Sequence, residues 1–87
     1  QHLMTPAARI KAVIDILTRL QEGRVPMDTV VGDYIRVRRY IGSKDRAFIA
    51  EMTYDIMRHH ARIGFLLNQA SAQDSILNRI LCYLAVI

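Results

Sequence analysis

Apolar residues recur at intervals of three and four along almost the whole chain, and this spacing constrains the fold most. Residues spaced in this way share one face of a helix, whereas a half-buried strand alternates with a period of two. The first such stripe comprises Ile10, Val13, Ile14, Leu17 and Leu20. A chain of 87 residues that is 52% hydrophobic can build one small core. We therefore expect a compact all-α bundle of about five helices.

The first two helices have clear start and stop signals. Thr5 followed by Pro6 combines an N-cap with a first-turn proline, and Gly23 closes that helix. Pro26 opens the second segment, and Gly42 ends it. The apolar stripe of this segment comprises Met27, Val30, Val31, Tyr34, Val37 and Ile41.

Three more helices are expected in the rest of the chain. Ser43 should cap the third, which should run to about Ile63. Gly64 should break or kink the chain before a short helix beginning at Phe65. A capping box over Ser71–Asp74 predicts the start of the fifth. The expected apolar faces are Phe48, Ile49, Met52 and Ile56 in the third helix and Leu77, Ile80, Leu81 and Leu84 in the fifth.

The net charge of the chain is concentrated in Arg36–Arg46, called the basic segment below. This segment holds five cations and one carboxylate, so its charge, 5 − 1 = +4, equals that of the whole chain. A cationic patch on an otherwise neutral scaffold is typical of a surface that binds a polyanion, and nucleic acid is the first partner to consider. The predicted RNA-binding residues are Arg36, Arg38, Arg39, Lys44 and Arg46.

The basic segment also has structural interpretations. Arginine stems can cover apolar surface, and Arg46 can pair with its neighbour Asp45. Tyr40 can stack on a base, or it can anchor the loop to the core. The residues alone leave these alternatives open.

Side chains that could carry catalysis or bind a metal are few. His59 and His60 point about 100° apart on a helix, and Asp55 with His59 has no third ligand. The carboxylates and arginines of this stretch have the spacing of a solvated ion-pair ladder, formed by Glu51, Asp55, Arg58 and Arg62. We therefore expect no metal site and no catalytic residue in the chain.

A single cysteine, Cys82, excludes an intrachain disulfide and a multi-cysteine zinc site. It lies in an apolar run, where the role of a small buried hydrophobe is expected. No stretch resembles a signal peptide or approaches the length of a membrane span. These observations favour the reducing cytoplasm and give no reason to expect a membrane partner.

From Arg38 to Arg58 the chain reads RRYIGSKDRAFIAEMTYDIMR. This stretch resembles the N-terminal NusB-like domain of the Fmu/Sun (RsmB-type) family of ribosomal RNA 5-methylcytosine methyltransferases. The residues that carry the resemblance are Asp45, Arg46, Glu51, Tyr54 and Arg58. The similarity extends from Met4 to about Arg58.

The resemblance implies that residues 4–87 form a NusB-like RNA-binding domain, attached to a separate catalytic domain that would bind S-adenosylmethionine. The segment itself would then have no cofactor, and its partners would be ribosomal RNA and that methyltransferase domain. Two alternatives remain: a NusB-type transcription antitermination module that binds protein, and a structural domain that packs on a catalytic neighbour.

The two ends of the chain suggest an excised piece of a longer protein. Residues 1–3 precede a plausible initiator, Met4, and are expected to be a cloning scar. At the other end the chain stops in an apolar run without a capping residue. Leu84, Val86 and Ile87 are therefore expected to be exposed and to promote artificial dimers.

Overall fold

Five α-helices and their connections account for residues 3–87, the part of the chain that this computed structural model describes. The helices are α1 (Pro6–Glu22), α2 (Met27–Val37), α3 (Ser43–Arg58), α4 (His60–Gln69) and α5 (Ile76–Val86). None of residues 3–87 forms a strand. The prediction of an all-α fold with about five helices is confirmed. The expected cloning scar includes Gln1 and His2, which lie outside the described residues.

The chain divides into two compact units, and the division falls within α3. The first unit ends at Thr53 and contains α1, α2 and most of α3. The second unit, Tyr54–Ile87, contains the end of α3 together with α4 and α5. In the first unit α1 packs against α2, and in the second α4 packs against α5. No helix of residues 3–87 combines the length and the hydropathy needed to cross a membrane.

The start of α1 follows its sequence signals. The hydroxyl of Thr5 accepts the Ala8 N–H at 3.1 Å, and Gly23 leaves the helix in an extended conformation. The buried face differs in part from the predicted stripe, because it is centred on Ile16. Its members are Ala12, Val13, Ile16 and Leu17, while Ile10, Ile14 and Leu20 are only half-buried.

The second helix is shorter than predicted. It ends at Val37, whose side chain is exposed, so the predicted extension of the buried stripe through Val37 is wrong. The cause is Arg38, which leaves the helical conformation (φ −108°, ψ 77°) and lies over the ring of Tyr34. Ile41 is buried as expected, but from the loop between α2 and α3. Arg36 and Arg39 therefore do not share a helix face.

The third helix begins at its predicted cap, one residue earlier than expected, and ends before Ile63. Ser43 is its first residue, and the carbonyl of Gly42 accepts the first helical N–H. The chain breaks at His59, whose ring Nδ1–H donates to the carbonyl of Asp55 at 2.8 Å. This bond occupies a carbonyl at the end of the last turn of α3, and His59 takes a non-helical conformation (φ −100°, ψ 22°).

The predicted break at Gly64 is wrong, because Gly64 lies inside α4. A Cβ at this position would lie 3.3 Å from Nη2 of Arg79. Arg79 comes from α5, donates to the carbonyl of His60 at 3.2 Å and forms a bidentate pair with Asp74. The missing side chain thus gives the guanidinium room to lie against α4.

The fifth helix is capped by Ser75, whose Oγ accepts the Asn78 N–H at 3.1 Å. The capping box predicted over Ser71–Asp74 is therefore wrong. Ser71 instead takes a left-handed conformation (φ 53°) after α4, and Asp74 pairs with Arg79 at 2.6 Å.

The predicted core stripe of α5 is mostly exposed. Of its four members only Ile80 is buried, whereas Leu77, Leu81 and Leu84 are each more than half exposed. The face of α5 that turns inward instead comprises Ile76, Ile80 and Tyr83. Both sets have helical spacing, so periodicity alone could not choose between them. The expected exposure of Leu84, Val86 and Ile87 is observed.

Candidate nucleic-acid interface

The basic segment forms the connection between α2 and α3 in the first unit. It comprises the last turn of α2, the loop at residues 38–42 and the first turn of α3. Four of the five predicted RNA-binding side chains are exposed there, and Arg38 is half-buried. The exposed four are Arg36, Arg39, Lys44 and Arg46.

The only carboxylate of the basic segment, Asp45, is turned inward and is 0% exposed. Its Oδ2 accepts the backbone N–H of Met4 at 2.8 Å, and its Oδ1 accepts Nε–H of Arg9 at 2.7 Å. The Met4 amide, with the help of the Arg9 guanidinium, holds the pKa of Asp45 below its usual range against the opposing effect of burial. The charge of Asp45 is thus balanced by α1, and the charged side chains of the basic segment that face solvent are all cations.

Arg46 does not form the pair with Asp45 that its position in the sequence allows. Its Nε–H donates to the carbonyl of Ile41 at 2.9 Å, which orients the side chain without neutralising it. Arg39 and Lys44 have no hydrogen bond or ion pair to any residue in 3–87. Arg36 pairs with Asp33 at 3.1 Å, but both side chains are largely exposed and such pairs are weak.

Arg38 has a structural role in the loop. Its guanidinium carbon lies 3.6 Å from the ring centroid of Tyr34, and its Nη1–H donates to the Tyr34 carbonyl at 3.2 Å. Tyr34 is itself buried and donates its hydroxyl to Oδ2 of Asp15 at 2.9 Å. Burial and this hydrogen bond raise the pKa of Tyr34 to about 12, so the hydroxyl stays a donor. The i, i+4 spacing of Tyr34 and Arg38 was the sequence signal for this contact.

Tyr40 does not anchor the loop, because its side chain is 66% exposed. Its neighbour Ile41, at 1% exposed, takes that role. The alternative in which Tyr40 offers its ring to a ligand therefore remains open.

The first turn of α3 is an electrostatically unfavourable place for cations. The N-terminus of a helix carries a partial positive charge, which Lys44 and Arg46 increase. Asp45, the acidic residue of the same turn, is already paired with Arg9. The potential at this turn is therefore positive. Cations at this end of a helix do not stabilise it, so helix stability does not account for the presence of Lys44 and Arg46.

The second unit contains a different polar cluster, centred on Asp55. Its carboxylate accepts the hydroxyl hydrogen of Tyr83 and pairs with Arg58 at 2.9 Å. These two hydrogen bonds, that of Tyr83 above all, lower the pKa of Asp55. Of the predicted ion-pair ladder, only the Asp55–Arg58 pair forms, because Glu51 and Arg62 have no partner among the described residues.

His59 and His60 make different contacts, as their spacing predicts. His59 hydrogen bonds with the Asp55 backbone, and Nδ1 of His60 accepts from Arg79 at 3.3 Å. Residues 3–87 contain no group of three or more histidine, cysteine or acidic side chains that could hold a metal ion. Cys82, expected to be buried, is half-buried in a shallow groove between α4 and α5.

Comparison with known proteins found no match among protein-family models, curated proteins or solved structures. Within the stretch that carries the resemblance to the NusB-like domain, Asp45 is buried and structural, Arg46 is exposed beside the loop, and Arg58 pairs with Asp55. The contact that sequence reasoning missed is Arg9–Asp45, which joins residues 36 positions apart.

Proposed function

We propose that this chain is an RNA-binding accessory domain that holds structured ribosomal RNA through the exposed cations of the basic segment. One observation carries the proposal: the only carboxylate of that segment is buried and paired with Arg9. The exposed charges of the basic segment are therefore all positive, on a chain whose remaining charges balance.

The exposed cations of the basic segment differ in the contacts that they already make within the protein. Arg39 and Lys44 have no partner within residues 3–87, so phosphate binding would break no existing contact. Arg46 is held by the Ile41 carbonyl and can bind through its remaining N–H groups. Arg36 would exchange an exposed ion pair with Asp33 for a phosphate. Such contacts fix position on RNA without specifying its sequence.

The proposal includes a catalytic partner, supported by the resemblance to the NusB-like domain of rRNA cytosine-5 methyltransferases. In this proposal a separate domain binds S-adenosylmethionine and transfers the methyl group. The present chain supplies RNA affinity and no catalytic side chain. Its place of action would be the cytoplasm, where ribosomal RNA is modified.

Two double variants that each remove two positive charges test the RNA surface. Arg39→Gln with Lys44→Gln should weaken binding to unrelated structured RNAs about equally, and should lower the slope of log affinity against log salt by roughly one to two. The matched control is Arg24→Gln with Arg62→Gln, which removes two exposed cations outside the basic segment that have no partner among residues 3–87. Fluorescence anisotropy with labelled rRNA hairpins gives both affinities.

The control is needed because removing any two cations weakens a polyanion contact slightly through the long-range field. Equal losses in the two double variants would contradict a localised surface. Failure of the wild-type chain to bind any structured RNA at low salt would overturn the proposal.

The exposed face of α5 favours a second candidate, a protein-interaction module. Leu77, Leu81 and Leu84 lie at i, i+4 and i+7 and are each about half exposed, which is typical of a helix that packs on another protein. If this face packs on the methyltransferase domain, Leu81→Gln with Leu84→Gln should weaken that association about tenfold or more and leave RNA binding unchanged. Unchanged association would remove this candidate.

A further inference from the structure

A cleft of about 530 Å³ lies in the first unit, beside the basic segment. Ala8 and Ala12 of α1 line one part of it, and Arg38 and Tyr40 of the loop line another. The cleft and the basic segment therefore share two residues. Nothing in the phosphate-binding proposal uses this space.

The aromatic part of the cleft is available to a ligand. Tyr40 is 66% exposed, and the loop that carries it is held by Ile41 and by the contact of Arg38 with Tyr34. The Tyr40 ring is thus presented on a fixed loop but is not needed for packing. An exposed aromatic ring of this kind is a platform on which a base can stack, whatever the sequence of the nucleic acid.

The polar groups of the cleft suit the edge of a base. Arg38 uses Nη1–H on the Tyr34 carbonyl and makes no other hydrogen bond to the described residues, so it can donate further. Asp15, another lining residue, accepts hydrogen bonds from the Tyr34 hydroxyl and, at 3.3 Å, from Lys11. A donor and an acceptor beside an aromatic ring match a nucleobase, which combines a flat face with hydrogen-bonding edges.

We propose that this cleft binds one unpaired base of an RNA strand whose phosphates lie on Arg39 and Lys44. The inference depends on the proposed RNA-binding function and narrows its substrate class to RNA that has at least one unpaired nucleotide. A base inside a duplex cannot stack on Tyr40, because its faces are already covered by its neighbours. The cleft would therefore discriminate unpaired from duplex RNA, which phosphate contacts alone do not.

The absence of tryptophan from the chain allows a direct optical test. Tyr40→Trp introduces a single indole whose emission should fall when a base stacks on it. The probes are an unpaired RNA of about twelve nucleotides, a blunt RNA duplex and cytidine monophosphate. Emission should fall with the unpaired RNA, should stay constant with the duplex, and should respond to the mononucleotide only at far higher concentration. Phe65→Trp, at a 60% exposed aromatic of the second unit, is the matched control and should stay constant throughout.

Binding measurements complete the test. Tyr40→Ala should weaken binding of the unpaired RNA about 5- to 50-fold and leave duplex binding unchanged, whereas Phe65→Ala should change neither. If both RNAs bind with salt dependence but Tyr40→Ala changes neither and the emission is constant, the base cleft is overturned and the phosphate surface stands. If no RNA binds, the proposed function fails and the cleft assignment with it. If the mononucleotide binds as tightly as the RNA, the assignment to an RNA strand is overturned.

Discussion

The carboxylate of Asp45 joins α3 to the start of α1, because it accepts hydrogen bonds from the Met4 amide and the Arg9 guanidinium. The same contact makes the potential around the loop more positive, because it buries and neutralises the only carboxylate of the basic segment. A structural bond thus shapes the candidate interface.

The lowered pKa of Asp45 predicts the pH dependence of stability. The folded state stabilises the ionised form of the Asp45 carboxylate. In the unfolded state the pKa of this carboxyl group is about 4. This stabilisation is therefore fully present above about pH 4 and is lost as the pH falls through the lower native pKa. The free energy of unfolding, measured by urea denaturation at pH values from roughly 2 to 7, should fall at the acid end of this range. Asp45→Asn should flatten the acid limb, while Asp33→Asn, at an exposed carboxylate, should alter it less.

Thr53 is the one residue of the described chain whose buried side-chain oxygen has no hydrogen-bond partner. Its hydroxyl is dehydrated without compensation, and a valine of the same shape would avoid that cost. Thr53→Val should raise the free energy of unfolding by about 1 kcal/mol, measured by urea denaturation. Thr18→Val is the control, because Thr18 is exposed and its hydroxyl donates to the Ile14 carbonyl; its effect should stay within about 0.5 kcal/mol. A loss of stability in Thr53→Val would show that the hydroxyl has a partner in solution.

At the scale of elements, the end of α4 is closed by backbone geometry without a glycine. The Ser71 N–H donates to the Asn68 carbonyl and the Ala72 N–H to the Leu67 carbonyl, which is the pair of bonds of a Schellman motif. Ser71 occupies the position of this motif that requires a positive φ, here 53°. Glycine is preferred there because it lacks the Cβ that makes this conformation costly.

Replacing Ser71 by glycine should therefore stabilise the protein. Glycine removes the strain of the left-handed conformation, and this stabilises the protein more than the added conformational entropy of the unfolded chain destabilises it. The free energy of unfolding should rise by about 0.5–1 kcal/mol. Thermal and urea unfolding followed by circular dichroism measure this gain. Ser71→Ala keeps the Cβ and should give none. A destabilised glycine variant would show that α4 does not end in this conformation.

The fifth helix illustrates a limit of periodicity at this scale. Ile76, Ile80 and Tyr83 have helical spacing, and so do Leu77, Leu81 and Leu84. The second set is the more hydrophobic, and the predicted core stripe comprised this set together with Ile80. Tyr83 turns inward because its hydroxyl hydrogen bonds with Asp55, a partner 28 residues away.

At the scale of the whole molecule, the proposed function predicts a salt dependence. Each phosphate that the protein neutralises contributes about −0.7 to −0.9 to the slope of log affinity against log salt. With two to four of the exposed cations engaged, the slope should be roughly −1.5 to −3.5 between about 50 and 200 mM salt. Anisotropy titrations at several salt concentrations give this slope. A slope near zero would show that the basic segment does not meet phosphates.

Several features could be predicted from the sequence because they depend on neighbouring residues. The helical class follows from spacing at three and four, and the start of α1 follows from the Thr5 cap. The burial of Val30, Val31 and Tyr34 follows from an apolar stripe flanked by polar residues. The location of the net charge follows directly from the order of the residues. In each case the interactions extend over about one helical turn, so the local sequence contains the information.

The tertiary structure alone decided which apolar face of α5 is buried and which carboxylate Arg9 pairs with. It also decided that Gly64 continues α4, where the guanidinium of Arg79 needs the space of the missing side chain. Each of these outcomes depends on groups far apart in the chain, and their energies arise from packing and desolvation rather than from local propensity. The basic segment depends on both kinds of information. Its net charge follows from the sequence, but its exposed charges are all positive only because Asp45 is buried and paired with Arg9.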